Sequence, residues 1–296
     1  MIHAHQESLP RPGGRLVAAT LLNIGMVVVE LSYGFLAGST ALIADATHNA
    51  GDVIGLALAW IAFRLASQKP WGRFTYGLRS STILAALLNG MLLMGAIGAI
   101  ILDALGRLAH PVPVDGGTVM IVAAVAVALN AFSAWILRHG QKDLNVRGAF
   151  WHLVADAAVS AGVVIAGFLM IETGIAWLDP AASIVISAVI AFGTWRLFSE
   201  ALNLSLRAVP ASIDISAVRA YLMAVPGIEC VHDLHVWAIG TADTALTCHC
   251  TVGETFDPVC LRRIAEELGE KFGINHATIQ TERSDGSTCT LEPDAI

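Results

Sequence analysis

The chain has 296 residues, of which 55% are hydrophobic and only 14% charged, with a formal net charge of −7. A mean hydropathy of +0.67 excludes an ordinary soluble globule. No run of Lys or Arg offers a surface to nucleic acid, so none is expected as a partner, and the medium this composition fits is a lipid bilayer.

Residues 1–14 read as a disordered polar tail that carries His3 and His5 and ends in Pro10-Arg-Pro-Gly-Gly14. Apolar runs of bilayer-spanning length follow at Leu16–Leu36, Leu42–Phe63, Ser81–Leu105, Thr118–Leu137, Ala149–Ile171 and Ala181–Leu202, predicting six transmembrane helices within residues 15–206. The first run begins only after Arg15 and is too long for a signal-peptide core, so no cleavable signal is expected. Basic residues flanking the spans number eleven on the side of the N-terminus and one, Arg107, on the other. The positive-inside rule then places both termini in the cytoplasm. Short loops and the missing targeting sequence point to a bacterial inner membrane.

Two of these runs carry the chemistry. Ala44-Asp-Ala-Thr-His-Asn-Ala-Gly-Asp52 sets His48 and Asp52 four residues apart in the second span, and His152 and Asp156 repeat the spacing in the fifth. On a helix, positions i and i+4 share a face, so each pair presents an imidazole nitrogen and a carboxylate oxygen in one direction. Two such helices face to face supply four ligands of the kinds Zn²⁺ takes in a tetrahedral site. A carboxylate at the bilayer centre costs roughly 2.5–3.5 kcal/mol on insertion scales, and a divalent cation cancels the charge of two. Asn23, Glu30, Asp45, Asn49, Asn89, Asp103 and Asn130 are further polar residues at membrane depth or its edge, most of them read as interhelical links or cavity lining. Asp45 shares the face of His48 and Asp52, which places it on an entry path.

From Arg207 the composition turns polar, giving a separate unit over 207–296. Ser212 is the expected N-cap of a helix that stops at Pro226-Gly227. Ile228–Ile239 and Ala245–Val252 alternate like paired strands, Asp257-Pro258 opens a helix through Lys271, and Ile274–Glu282 is a last strand. The order αββαβ predicts a small α+β domain. All five cysteines lie here, an odd number with no Cys-x-x-Cys, which argues against a closed disulfide framework. The candidate ligands are His232, Asp233, His235, Cys248, His249, Cys250, His276, Glu282 and Cys289. Strand alternation puts Cys248 and Cys250 opposite His249, and His232 opposite Asp233 and His235.

With these stretches in view, the chain resembles the cation diffusion facilitator family of metal-ion/proton antiporters. The match runs through 44–52, Tyr76-Gly77 with Ile83-Leu-Ala-Ala-Leu-Leu-Asn89, Arg147-Gly-Ala-Phe-Trp-His-Leu-Val-Ala-Asp156, Asp179-Pro180, Val231-His-Asp-Leu-His-Val-Trp237 and Thr278-Ile-Gln-Thr-Glu282. The resemblance implies a polytopic α-helical membrane protein with a C-terminal ferredoxin-like cytoplasmic domain, assembled as a homodimer. It implies His48, Asp52, His152 and Asp156 as the transport-site ligands for Zn²⁺ moved against protons, and favours His232, His249, Glu282 and Cys289 for a cytoplasmic site. The ligand set suits Zn²⁺ and tetrahedral Co²⁺ about equally and admits Cd²⁺. The chain departs from the family pattern in three places, the first being the connection between the fourth and fifth spans, where the His-rich loop of animal relatives is reduced to His139. Gln68-Lys-Pro-Trp-Gly-Arg73 offers no His, Asp or Glu for a second site between spans, and Ser80-Ser-Thr82 stands where an Arg-x-Glu is usual.

The rival readings are an intramembrane zinc hydrolase, which would keep one coordination position open for water beside a general base, and a membrane-anchored metal sensor. Neither needs matched buried pairs in two separate spans.

Overall fold

A computed structural model describes residues 14–138 and 144–283. The expected N-terminal tail with His3 and His5, together with His139 and Cys289, falls outside them. Six helices come first: α1 (Gly14–Ala37), α2 (Thr40–Ala66), α3 (Ser81–Ala109), α4 (Gly116–Leu137), α5 (Leu144–Thr173) and α6 (Leu178–Ser205). Five of them, α2 to α6, are long and apolar enough to cross a membrane, while the apolar stretch Leu21–Ala37 of α1 is shorter. The chain divides into two compact units, one of residues 1–56 and 91–194, the other of 57–90 and 195–296.

In the first unit the helices approach through small residues. A Cβ on Gly167 of α5 would stand 2.9 Å from the Met120 backbone nitrogen, and one on Gly116 of α4 would stand 3.1 Å from the Gly167 carbonyl oxygen. Hydrocarbon tails leave no hydrophobic drive between such helices, so close packing holds them together. Leu42, Val119, Ala123, Ala126 and Val163 make the dry centre. The start of α2 is fixed from a distant part of the chain. Asp179, in the first turn of α6, is fully buried. It accepts from Ser39 Oγ at 2.5 Å and from the Thr40 N–H and Thr40 Oγ1 at 2.7 Å each. A carboxylate on the free N–H groups of a helix start both caps it and meets its dipole. Arg107 donates to the Gly38 carbonyl and pairs with Asp103 at 2.9 Å.

The second unit contains α7 (Ile215–Met223), β1 (Ile228–Ala238), β2 (Thr244–Val252), α8 (Cys260–Phe272) and β3 (Ile274–Arg283). The sheet order is β1-β2-β3, with β1 antiparallel and β3 parallel to β2, so α8 is the crossover that parallel pairing requires. This is the expected αββαβ order. Val218, Leu222, Val236, Leu246, Ile264 and Leu268 fill the space between helices and sheet. Two helix starts move from their expected places. Asp214, not Ser212, caps α7, because its Oδ1 accepts from the N–H groups of Ser216 and Ala217 at 2.9 and 3.3 Å. Asp257 closes a turn onto the Val259 N–H at 2.9 Å, so α8 begins only at Cys260. Gly227 is required where it stands, since its φ is +86° and a Cβ there would lie 2.7 Å from Phe256 Cα.

The α2–α3 connection belongs to this unit and docks on the sheet. Arg79 pairs with Asp243 at 2.8 Å, Ser80 Oγ donates to the Ile239 carbonyl at 2.9 Å, and the Thr241 N–H donates to Thr82 Oγ1 at 3.0 Å. Tyr76 meets the edge of His276 with ring centres 5.4 Å apart. The serine and threonine that replace the usual Arg-x-Glu are therefore hydrogen-bonding groups of this contact, and Arg79 keeps a charge partner.

Candidate metal centres

The helical period brings the four predicted transmembrane residues to one place. His48 Nε2 lies 3.8 Å from Asp52 Oδ2 on its own helix and 3.5 Å from Asp156 Oδ1 on α5. His152 Nε2 lies 3.2 Å from Asp52 Oδ2 and 3.6 Å from Asp156 Oδ2. Each imidazole thus contacts both carboxylates, and the two rings meet edge to face at 6.1 Å. Bonds of about 2.0–2.1 Å to one tetrahedral ion place its ligand atoms about 3.3 Å apart, so the observed 3.2–3.8 Å leaves room for a single ion between them. His48, Asp52 and Asp156 each offer an atom within 4.8 Å of the other two, a group that does not take in His152, whose own contacts are with the two carboxylates.

The cluster has a closed end and an open one. Side-chain exposure runs from 1% at Asp156 through 18% at His48 and 29% at Asp52 to 45% at His152. Both Asp156 oxygens, Asp52 Oδ2 and His48 Nδ1 are buried without a hydrogen-bond partner among the described residues. Buried carboxylate oxygens with no donor are costly unless a cation meets them. Gly51 lets α3 pack beside the site, since a Cβ there would be 3.0 Å from Leu93 Cδ1. Asp45 and Asn49 are buried on the same side of α2 and hydrogen-bonded to neighbouring helices, Asp45 to Ser160 of α5 and Asn49 to Glu30 of α1.

The second cluster lies on the sheet. His232 and His249 are paired across β1 and β2, with ring centres 5.5 Å apart. His249 Nδ1 is 2.6 Å from Glu282 Oε1, and His232 Nε2 is 3.5 Å from Glu282 Oε2. Glu282 reaches them because parallel pairing sets His249 opposite Gln280 and Thr251 opposite Glu282. His232, His249 and Glu282 together present ligand atoms within 4.8 Å.

Strand alternation misplaces one neighbour. The β1–β2 register shifts between His232 and His235, and Asp233 takes φ +49°, a left-handed conformation that Asp tolerates better than most residues. Asp233 therefore does not stand on the opposite side from the cluster. Its Oδ2 is 3.7 Å from His249 Nε2 while its Oδ1 holds His235 Nε2 at 2.8 Å. Asp233 thus brings a carboxylate oxygen beside the three favoured residues, although the group with ligand atoms within 4.8 Å of one another is His232, His249 and Glu282. His235 is spent on Asp233, and His276 on Tyr76.

Cys248 and Cys250 point into the core with their sulfurs 3.9 Å apart. The hydrogen bond to Cys250, reinforced by burial, pushes the Cys248 thiol far above its usual range, so it packs as a neutral group rather than as a thiolate ligand.

Comparison with known proteins agrees with this architecture. A model of the cation efflux transmembrane domain matches residues 16–204, and a model of the cation efflux protein cytoplasmic domain matches residues 210–284. The chain is 34% identical over 289 residues to a cadmium, cobalt and zinc/H⁺-K⁺ antiporter of Bacillus velezensis, covering 95% of this chain and 92% of that protein. It is 36% identical over 287 residues to the zinc transporter ZitB of Escherichia coli, covering 95% and 91%. Among solved structures, the metal-bound C-terminal domain of the CzcD transporter from Cuprividus metallidurans aligns at 35% identity over 24% of this chain and 98% of that one, with a TM-score of 0.21.

Proposed function

Because the chain belongs to the cation efflux family, the cation diffusion facilitators, whose members are integral membrane transporters and not enzymes, we propose that it exports Zn²⁺ from the cytoplasm in exchange for H⁺. One observation supports the reading: inside apolar helices, the imidazoles of His48 and His152 each lie 3.2–3.8 Å from the carboxylates of Asp52 and Asp156. Cd²⁺ and Co²⁺ fit the same donors, and relatives named for cadmium, cobalt and zinc support that range.

Ion exchange follows from the donors. A metal binds neutral imidazole and ionised carboxylate, so its arrival displaces protons and their return displaces it. The exposed edge at His152 is the side from which the ion enters, and Asp156 closes the bottom. Alternating access turns that edge from one face of the membrane to the other, and a proton gradient then drives the metal outward. The distribution of basic residues puts both termini in the cytoplasm. The unit after residue 206, with His232, His249 and Glu282, is read as a cytoplasmic metal-responsive domain, for which Asp233 and the tail residue Cys289 are further donors. The match to the family's cytoplasmic domain supports a homodimer. A metal sensor that is merely anchored would have no use for the transmembrane pairs.

Zinc flux into proteoliposomes, followed with a zinc dye and a pH dye together, tests the proposal. Coupled movement of both ions is expected, and full activity in His48→Ala or Asp156→Ala would remove the site.

A further inference from the structure

The connection between α2 and α3 takes no part in the metal chemistry. Both helices that flank it are long and apolar enough to cross the membrane, so it lies at the bilayer surface. It carries Arg64, Lys69, Arg73 and Arg79, and the chain holds no acidic residue between Asp52 and Asp103. With no His, Asp or Glu from Arg64 to Ser80 the connection has nothing to offer a divalent cation, and its charge fits an anion instead.

The connection is a folded loop. Gly77 takes φ +68°, and a Cβ there would lie 3.1 Å from the Gln68 carbonyl oxygen, so the two ends of 68–77 meet. Within it the Trp71 N–H donates to the Phe74 carbonyl at 3.2 Å and the Phe74 N–H to the Trp71 carbonyl at 2.9 Å, a reversal that Gly72 permits with φ +50°. This turn sets the two rings side by side, 5.3 Å between centres, yet leaves Trp71 45% and Phe74 49% exposed. Tyr76, Arg79 and Ser80 are occupied by the sheet, which leaves Lys69, Trp71, Arg73 and Phe74. Among the described residues no carboxylate pairs with Lys69 or Arg73.

Half-exposed aromatic rings between cations suit the boundary of headgroups and acyl chains, where the rings meet hydrocarbon and the cations meet phosphate. The level of that boundary is marked on α2 itself. Trp60 is 55% exposed near the end of the helix, and the Arg64 guanidinium lies 5.2 Å over its ring. Trp71 follows shortly after Ala66, the last residue of α2. We infer that this loop is a binding site for anionic phospholipid, with Trp71 and Phe74 among the upper acyl chains and Lys69 and Arg73 on the phosphate groups. A loop bathed only in water has no use for a preformed pair of exposed rings, and fixing the pair in advance lowers the cost of binding. Each Lys or Arg close to an anionic bilayer surface favours it by about fivefold. The site depends on the membrane character of α2 and α3 and is independent of which ion the chain moves.

Bromine on an acyl chain quenches indole on contact and reads the site in the full-length protein. The Trp71 signal is the difference between wild type and Trp71→Phe, each reconstituted in vesicles of phosphatidylcholine and phosphatidylglycerol with the bromine on one lipid or the other. At equal mole fractions, brominated phosphatidylglycerol should be enriched at Trp71 over brominated phosphatidylcholine by about fivefold or more. Lys69→Gln/Arg73→Gln should remove that excess, and Lys69→Arg/Arg73→Lys, which keeps both charges, should retain it. Equal quenching by the two lipids in the wild type overturns the inference, and an excess that survives the glutamines overturns the role of the two cations. A Trp71 signal that neither lipid quenches also overturns it, and assigns the rings to a second copy of the chain if Trp71→Ala/Phe74→Ala lowers the oligomeric state.

Discussion

The transmembrane and cytoplasmic clusters use the same side chains on different scaffolds. In the membrane, each helix contributes one His and one Asp at i and i+4, so α2 and α5 need only face each other for all four groups to meet. On the sheet, three strands contribute His232, His249 and Glu282, and a local break in β1 turns Asp233 beside them. The first cluster is held by four imidazole–carboxylate contacts of 3.2–3.8 Å and is deepest at Asp156, which is 1% exposed. In the second a shorter contact of 2.6 Å already joins His249 to Glu282.

That contrast is open to experiment, beginning where the effect is greatest. Removing a proposed transmembrane ligand by Asp156→Ala should lower zinc flux in proteoliposomes by at least about 100-fold, beyond the loss usual for outer-shell changes around a metal. Flux within tenfold of wild type would erase the difference between the clusters. Asp179→Ala strands the hydroxyls and N–H groups at the start of α2 and should cost about 2–3 kcal/mol in thermal stability, read as a lower melting temperature in detergent. The cytoplasmic site should respond more mildly. His249→Ala is expected to weaken its zinc affinity about 10- to 100-fold by calorimetry, with flux at saturating zinc retained.

Asp233→Gly sharpens the point, because glycine accepts φ +49° without strain but offers no carboxylate. Affinity should fall by about tenfold with melting unchanged if Asp233 acts as a donor; a change in melting alone would make it a purely structural residue. The smallest effect concerns α7 and α8. Burial, with Glu267 beside it, holds the Tyr221 hydroxyl up to about 12 against an ordinary 10.0. The folded protein keeps that proton longer than the unfolded chain, so the stability it contributes is intact below pH 10 and declines as pH rises from 10 towards 12. Tyr221→Phe should flatten the decline.

How much was legible before the structure depended on the reach of each interaction. The His48/Asp52 and His152/Asp156 pairs are local, and a repeat of four survives any packing that keeps the helices straight. Asp179 stood out only as part of a motif, because its partners Ser39 and Thr40 are 139 or 140 residues away. The Asn49–Glu30 contact spans 19 residues across a turn between helices, and nothing in the composition of α1 announces it. Ser212 was a reasonable cap, yet Asp214 has the stronger acceptor two residues on.

The sequence by itself determined the lipid-embedded character, the helical periodicity of the ligand pairs and the αββαβ order, because hydropathy and short-range spacing are properties of consecutive residues. Only the tertiary structure decided which faces of α2 and α5 meet, that Asp179 starts α2, and that Asp233 joins the sheet cluster. Those outcomes depend on contacts between helices far apart in the sequence, on a carboxylate delivered from another helix, and on one residue of slippage between two strands, none of which leaves a periodic trace in the chain.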